Sequence, residues 1–291
     1  MAHLHAIGFA LVAALCIAFS AVSRQREAAR VPDGDLGRLG AIGSLMRRPL
    51  WWLGTAVGAG GYVFQAMALG RGSVLLVQSL LVSSLLFALP LAATLAGRVI
   101  RRSEWLWALV LSVAIVVLLV VGDPRQGKQH AAGWHWALTA AIGLPFLAAC
   151  LLGARRRPGG RRALLLGIAA GALFGVAAVL TKGLVALLGE GPAAVFGSAE
   201  TYALVVVGGA AVVLQQDSYQ AGALQASLPA ATVTEPVVAA ALGILLLNEY
   251  FDVDGPQVVL LALALAAMIT ATLALSRSAA IEPAPDPAPI R

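Results

Sequence analysis

The sequence predicts an all-α integral membrane protein of nine transmembrane helices, arranged as two inverted four-helix repeats joined by a connecting helix. Three observations carry that expectation. Hydrophobic residues make up 60% of the 291 and charged residues only 12%, with a mean hydropathy of +0.88, too apolar for a water-soluble domain of this length. Apolar stretches of about 20 residues, the length that a hydrocarbon core of about 30 Å requires, recur nine times between charged or Gly/Pro-rich breaks. A shift of 150 residues lays Val57-Gly58 on Val207-Gly208, Gln65 on Gln215, Gly72 on Gly222 and Glu104 on Asp254.

In order, the nine stretches are His5 to Val22, Leu50 to Leu69, Val74 to Ala96, Trp105 to Val121, Gly133 to Gly153, Leu164 to Leu188, Thr201 to Tyr219, Ala226 to Leu247 and Pro256 to Leu275. The first ends in Ala21-Val22-Ser23, loosely a cleavage-site pattern. Its n-region has no Lys or Arg, however, whereas Arg24, Arg26 and Arg30 follow it, so a retained helix is expected. Cys16 and Cys150 fall within spans and read as small buried hydrophobes rather than a disulfide or metal pair.

Sixteen of the 20 basic residues lie in the odd-numbered loops and the C-terminal tail, and only Arg71, Arg125 and Lys128 in the even ones. This asymmetry predicts a multi-pass plasma-membrane protein with its N-terminus outside and its C-terminus in the cytoplasm. Arg155-Arg156-Arg157 and Arg161-Arg162 are then topology determinants in reach of anionic lipid, and no nucleic-acid partner is expected. Glu190, Glu200, Glu249, Asp252 and Asp254 occupy the last two outward loops, as solvated acids or as a cation-attracting vestibule.

The first and sixth spans also pair, at a shift near 158, with Ser23-Arg24 matching Thr181-Lys182 in type. Spans one to four thus correspond to spans six to nine. The first of these quartets descends where the second ascends, the inverted-repeat construction of many secondary transporters. The predicted organisation is one transmembrane domain over 1–275, with repeat 1 at about 5–122, a connector helix at about 133–153 and repeat 2 at about 164–275. Residues 276–291, rich in proline, are expected to be a disordered cytoplasmic tail.

Within this apolar chain one carboxylate stands out. Glu235, about 11 residues into span eight, lies roughly 16 Å deep by helical rise, where an ionised group costs roughly 2.5 to 3.5 kcal/mol on insertion scales. Pro236 removes a backbone donor beside it and marks a helix break. Glu235 suits a proton coupler, a cation ligand, or a hydrogen bond tying two helices. Gln215, Gln216, Asp217 and Ser218 form a polar cluster toward the cytoplasmic end of span seven, and four successive residues cannot share one helical face. Glu235 and Asp217 are the candidate transport and metal-binding carboxylates, two stations about 10 Å apart by helical rise rather than one cage. Gln65, Gln78, Gln215, Gln216, Ser218 and Thr234 are candidates to line a cavity, with helix-to-helix hydrogen bonding as the competing role. Lys182 is expected to snorkel to the outer interface, and the four histidines, His3, His5, His130 and His135, match no zinc spacing. Gly54, Gly58, Gly60 and Gly61, and Gly167, Gly171 and Gly175, are spaced for close helix contact. No Walker loop or dinucleotide fingerprint is present, so neither enzymatic activity nor a cofactor is expected.

The segment Thr234 to Glu249 (TEPVVAAALGILLLNE) resembles the helix that ends the second half of EamA-type members of the drug/metabolite transporter superfamily. Tyr62 to Val74 (YVFQAMALGRGSV) is similar to the matching segment of the first half. The resemblance runs from about Ala6 to Leu275, and nine helices with an outside N-terminus are most like the NIPA-type magnesium transporters. It implies two inverted repeats around a central cavity and transport of a solute without ATP. The arginine-rich segment Gln25 to Arg48 stands where ten-helix members have their second span, and Gly189 to Glu200 is too short to hold another. The expected function is alternating-access movement of magnesium or another divalent cation. The alternatives are a proton-coupled carrier or exporter of a small organic metabolite, and a non-transporting membrane scaffold. Membrane lipid and either magnesium or a small-molecule substrate are the expected partners.

Overall fold

The computed structural model describes residues 2–28, 48–96, 99–157, 159–221 and 224–280. Arg30, Arg38 and Arg47 of the first connection, the repeat glycine Gly222 and the proline-rich end 281–291 lie outside the described residues. The elements are α1 (Ala2–Ala28), α2 (Pro49–Leu69), α3 (Val74–Leu81), α4 (Ser84–Ala96), α5 (Arg102–Val120), β1 (Pro124–Arg125), α6 (Gly133–Arg155), α7 (Gly160–Glu190), α8 (Pro192–Gly197), α9 (Ala199–Gln220), α10 (Leu224–Leu247), β2 (Tyr250–Phe251) and α11 (Pro256–Ala280). Among the described residues, eight segments are long and apolar enough to cross a bilayer, with α3 and α4 together forming one of them. The chain is therefore a multi-pass, almost wholly helical integral membrane protein. The remaining predicted span coincides with α2, whose 21 residues have the length but carry four glycines, two tryptophans and Gln65.

Several helices outrun the apolar stretches that predicted them. α1 continues past Val22 through Arg24 to Ala28, because Arg, Gln and Glu propagate a helix as readily as most apolar residues. α11 runs to Ala280, so the tail expected from 276 begins inside a helix. The third span is not one regular helix. Its Ser83-Ser84 pair sits in a tightened turn where the N–H groups of Ser83, Leu85 and Leu86 donate to carbonyls three residues back, at 2.9, 3.2 and 2.9 Å. The hydroxyls of Ser79 and Ser83 also donate to the carbonyls of Leu75 and Leu80, a competition with the backbone ladder that bends helices.

α1 packs along α2, while α7 packs along both α9 and α10. Two further contacts join early to late helices, α3 with α10 and α5 with α11. α6 lies at the periphery against α7. The closest approach is between α7 and α10, which run in the same direction. A Cβ at Gly171 would lie 2.7 Å from the Ala231 carbonyl oxygen, and one at Gly175 2.8 Å from that of Glu235. Backbone therefore meets backbone where Glu235 sits, and the small-residue ladder fixes the depth of that carboxylate.

Two faces of the bundle differ in character. One carries the α1–α2 and α6–α7 connections and is called here the arginine face. The other is closed by a two-stranded ribbon in which Pro124 pairs with Phe251 and Arg125 with Tyr250. On this ribbon face Arg125 bridges Asp123 and Asp252, and the Lys128 N–H donates to the Leu247 carbonyl at 2.6 Å.

Beneath the ribbon is a fully buried ion pair. Lys182 Nζ lies 2.5 Å from Glu249 Oε1 and also donates to the Gly72 carbonyl at 3.2 Å. The same carboxylate accepts from the backbone N–H of Val74 at 2.9 Å and Leu75 at 3.1 Å, capping α3. Lys182 is 0% exposed, which corrects the expectation that it snorkels: its ammonium finds a carboxylate and a carbonyl within the bundle, so it has no need of the interface. The predicted acidic vestibule is corrected too. Glu249 is buried against Lys182, Asp252 is held by Arg125, and Glu200 Oε2 lies 3.0 Å from His130 Nδ1, so three of its acids have partners from elsewhere in the chain.

Two outcomes test this packing. Gly171→Leu, which drives a side chain into the α10 backbone, is expected to abolish a monodisperse peak in detergent gel filtration. Lys182→Met leaves a buried carboxylate uncompensated and is expected to cost about 3–5 kcal/mol. Adding Glu249→Gln to it restores part of that loss in a double-mutant cycle followed by thermal unfolding.

Candidate functional site

Side chains on a helix tilt toward its N-terminus, and in this bundle that rule makes four of them converge. Arg24 lies near the end of α1, and Tyr219 near the end of α9, both at the arginine face; their side chains lean inward from it. Tyr62 on α2 and Glu235 on α10 belong to helices that start at that face, so theirs lean back toward it. Glu235 is within electrostatic reach of both Tyr62 and Tyr219, and Arg24 is within reach of the same two tyrosines.

α2 is held chiefly by α1, and α10 by α7, so the helices bearing Tyr62 and Glu235 have their main packing partners elsewhere. Tyr62 is 52% exposed, and Arg24, Tyr219 and Glu235 are half-buried. A phenol from the first half of the chain, a phenol and a carboxylate from the second half and a guanidinium thus lie within electrostatic reach of one another. Chemically they offer a proton-accepting group, two aromatic faces with hydroxyls, and a cation.

The register of α9 sorts the polar cluster. Gln215 lies one turn before Tyr219 and shares its side of the helix, whereas Asp217, two residues away, points to the opposite side. Ser218 is fully buried with its hydroxyl donating to the Gln215 carbonyl at 2.9 Å, and Gln216 is exposed. Asp217 and Glu235 therefore stand on separate sides of α9, not around one centre. Thr234 packs at the α7 contact, where a Cβ on Gly171 would lie 3.0 Å from its own Cβ. Gln65 is buried on the α2 side that packs against α1. Among the described residues no group of three or more His, Cys, Asp or Glu is arranged to hold a metal ion.

Gln78 stands apart from the other candidates. It is 2% exposed, and its Nε2 has no hydrogen-bond partner among the described residues. α3 and α10 run antiparallel with Val74 against Gly243, so one turn inward places Gln78 alongside Ala239. A second turn brings the tightened Val82-Ser83 segment to the depth of Glu235 and Pro236. Both helices are irregular at that level, α10 because Pro236 has no N–H for the carbonyl one turn earlier.

Sequence reasoning selected Glu235 and Gln78 but passed over Tyr62, Tyr219 and Arg24. The tyrosines carried no period of their own, and Arg24 was absorbed into the positive-inside count. Lys182 and Glu249 were legible in principle, since a lysine deep in an apolar run is as costly as Glu235 and demands a partner.

No family model matches the chain. No solved structure matches it either. An uncharacterised protein of Corynebacterium glutamicum is 39% identical over 278 residues, a match that covers 95% of this chain and 96% of that protein. With identity at that level along nearly the full length of both, the chain belongs to the same family as the Corynebacterium glutamicum protein.

Proposed function

We propose that the chain is a secondary carrier of the drug/metabolite transporter superfamily that moves a small organic solute by alternating access, with Glu235 as the coupling carboxylate. The observation that carries this reading is that Glu235, Tyr62 and Tyr219, drawn from both halves of the chain, lie within electrostatic reach of one another. Inverted repeats of four helices each, with α2 counted as a ninth crossing and α6 as the connector, account for the contacts of α3 with α10 and of α5 with α11: each joins repeat-equivalent helices across the centre. The distribution of basic residues puts the arginine face in the cytoplasm and the N-terminus outside the plasma membrane.

The surroundings of Glu235 favour an organic solute over magnesium. A hard divalent cation is bound through carboxylates and retained waters. What stands near Glu235 is a pair of phenols with the Arg24 guanidinium beyond them, and Asp217 faces away. Aromatic faces bind apolar bodies of organic molecules, and a carboxylate binds a proton or an amine. On this reading the buried pair of Lys182 and Glu249 is the closed gate at the ribbon face, and solute enters from the arginine face.

Transport in proteoliposomes under an imposed pH gradient tests the coupling role. Wild-type flux of a metabolite panel is expected to follow the gradient, and Glu235→Gln is expected to remove at least about tenfold of that response, the scale of a lost general acid–base group. A Glu235→Gln variant with wild-type gradient dependence would sink the assignment. Accessibility tests the state: in a Cys16→Ala, Cys150→Ala background, Tyr62→Cys is expected to react with an impermeant maleimide applied from the arginine face. Gln78→Cys is expected to stay unlabelled from either face until solute is added. Equal labelling of both positions in the resting protein contradicts a sealed ribbon face.

A further inference from the structure

We propose that Arg24 binds an anionic group on the transported solute, so that the cargo of this site is a small organic compound bearing a carboxylate or phosphate. The inference rests on the carrier reading above. Arg24 offers an identified atom for such a group: its Nε is buried and has no hydrogen-bond partner among the described residues. A buried guanidinium nitrogen without an acceptor costs more than a neutral orphan, and an oxyanion supplies the missing acceptor in a planar, two-pronged geometry that matches the guanidinium fork.

The repeat explains why Arg24 is left so. Its counterpart is Lys182, which is neutralised by Glu249. The 150-residue shift places Val99 opposite Glu249, so the first half carries the base without the acid. Val99 is moreover 88% exposed and has no acceptor side chain. The position is also shaped for a side chain that leans inward. Gly54 lies under the Arg24 stem, and a Cβ there would sit 3.4 Å from Arg24 Cγ and 3.1 Å from Ser23 Cβ. Tyr62 and Tyr219 are both within electrostatic reach of Arg24 and Glu235, so the aromatic faces near Arg24 suit a compound with an anionic end and an apolar or aromatic body.

Three probes that share a benzene ring separate the charges: phenylacetate, phenyl phosphate and phenethylamine. For the purified full-length chain in detergent with phosphatidylcholine, phenylacetate and phenyl phosphate are expected to raise the unfolding midpoint by roughly 2 °C or more, and phenethylamine to raise it less. Arg24→Gln is expected to abolish the anion-dependent shift and Arg24→Lys to retain part of it, with gel filtration confirming that each variant is folded. An undiminished shift in Arg24→Gln, a shift with phenethylamine alone, or no shift with any probe overturns the proposal. An Arg24-dependent shift produced only by added phosphatidylglycerol puts a lipid headgroup on the guanidinium and also overturns it. Flux separates this inference from the carrier reading. Arg24-dependent binding without flux of either anionic probe supports the site while defeating the carrier. Glu235-dependent flux that Arg24→Gln leaves intact supports the carrier while defeating the role of Arg24.

Discussion

The buried pair of Lys182 and Glu249 is the interaction on which the rest of the architecture depends, because it ties three segments together at charged and backbone polar groups. It fixes α7 through the ammonium, the loop after α10 through the carboxylate, and the start of α3 through the N–H groups of Val74 and Leu75. A helix N-terminus exposes four donors, and in a dry bundle each needs an acceptor. Ser73 supplies one for Leu76 and Glu249 supplies two, so the ion pair also satisfies backbone that the tightened third span leaves exposed. Ion pairs removed from water add little net stability over a well-packed apolar pair, but breaking one leaves a stranded charge. Its value here is in registry: only one alignment of α3, α7 and α10 satisfies all of these groups at once.

That alignment sets the depth of everything else. From Glu249 the chain enters α10, whose backbone is pressed onto α7 by Gly171 and Gly175, and this delivers Glu235 to its level. From Val74 the chain enters α3, which brings Gln78 and the Ser83 turn down beside α10. The two irregular helices reach the same depth because both are measured from one anchor. The ion pair at one face and the depth of Glu235 are therefore two consequences of one arrangement.

Much of this was legible in the sequence, and what was not has a physical reason. Apolar runs of bilayer length report helices directly, so eight of the nine expected spans reappear as segments able to cross a membrane. α2 is the weak one because the same glycines that let it lie against α1 dilute its hydropathy. Helix ends were misplaced in α1 and α11, where helix-forming polar residues carry the turn beyond the hydrocarbon. Glu235 could be selected because a lone acid in an apolar run violates a strong local rule. Its neighbours could not, since Tyr62 and Tyr219 obey every local rule and become distinctive only when four helices bring them together. Lys182 and Glu249 were visible as charges, yet pairing residues 67 positions apart requires knowing which loops share a face.

Repeat-built bundles gain two interchangeable backbones, and function then lies where the side chains break the symmetry. Two such departures stand out in this sequence, Glu235 against Leu85 and Glu249 against Val99, while Lys182 and Arg24 keep their charge in common. Each leaves the second half with an acid the first half lacks. The ribbon face thereby gains a complete ion pair, and Arg24 keeps a buried Nε with no hydrogen-bond partner among the described residues. A closed gate that neutralises itself is stable without cargo. On the proposed carrier reading, sealing Arg24 away from water is costly until an anionic group supplies the acceptor its Nε lacks. Glu235 imposes the complementary requirement, since enclosing an ionised carboxylate is penalised until a proton or a cationic group joins it. On that reading the two charges make occupancy a condition for closure, the property that separates a coupled carrier from a leak.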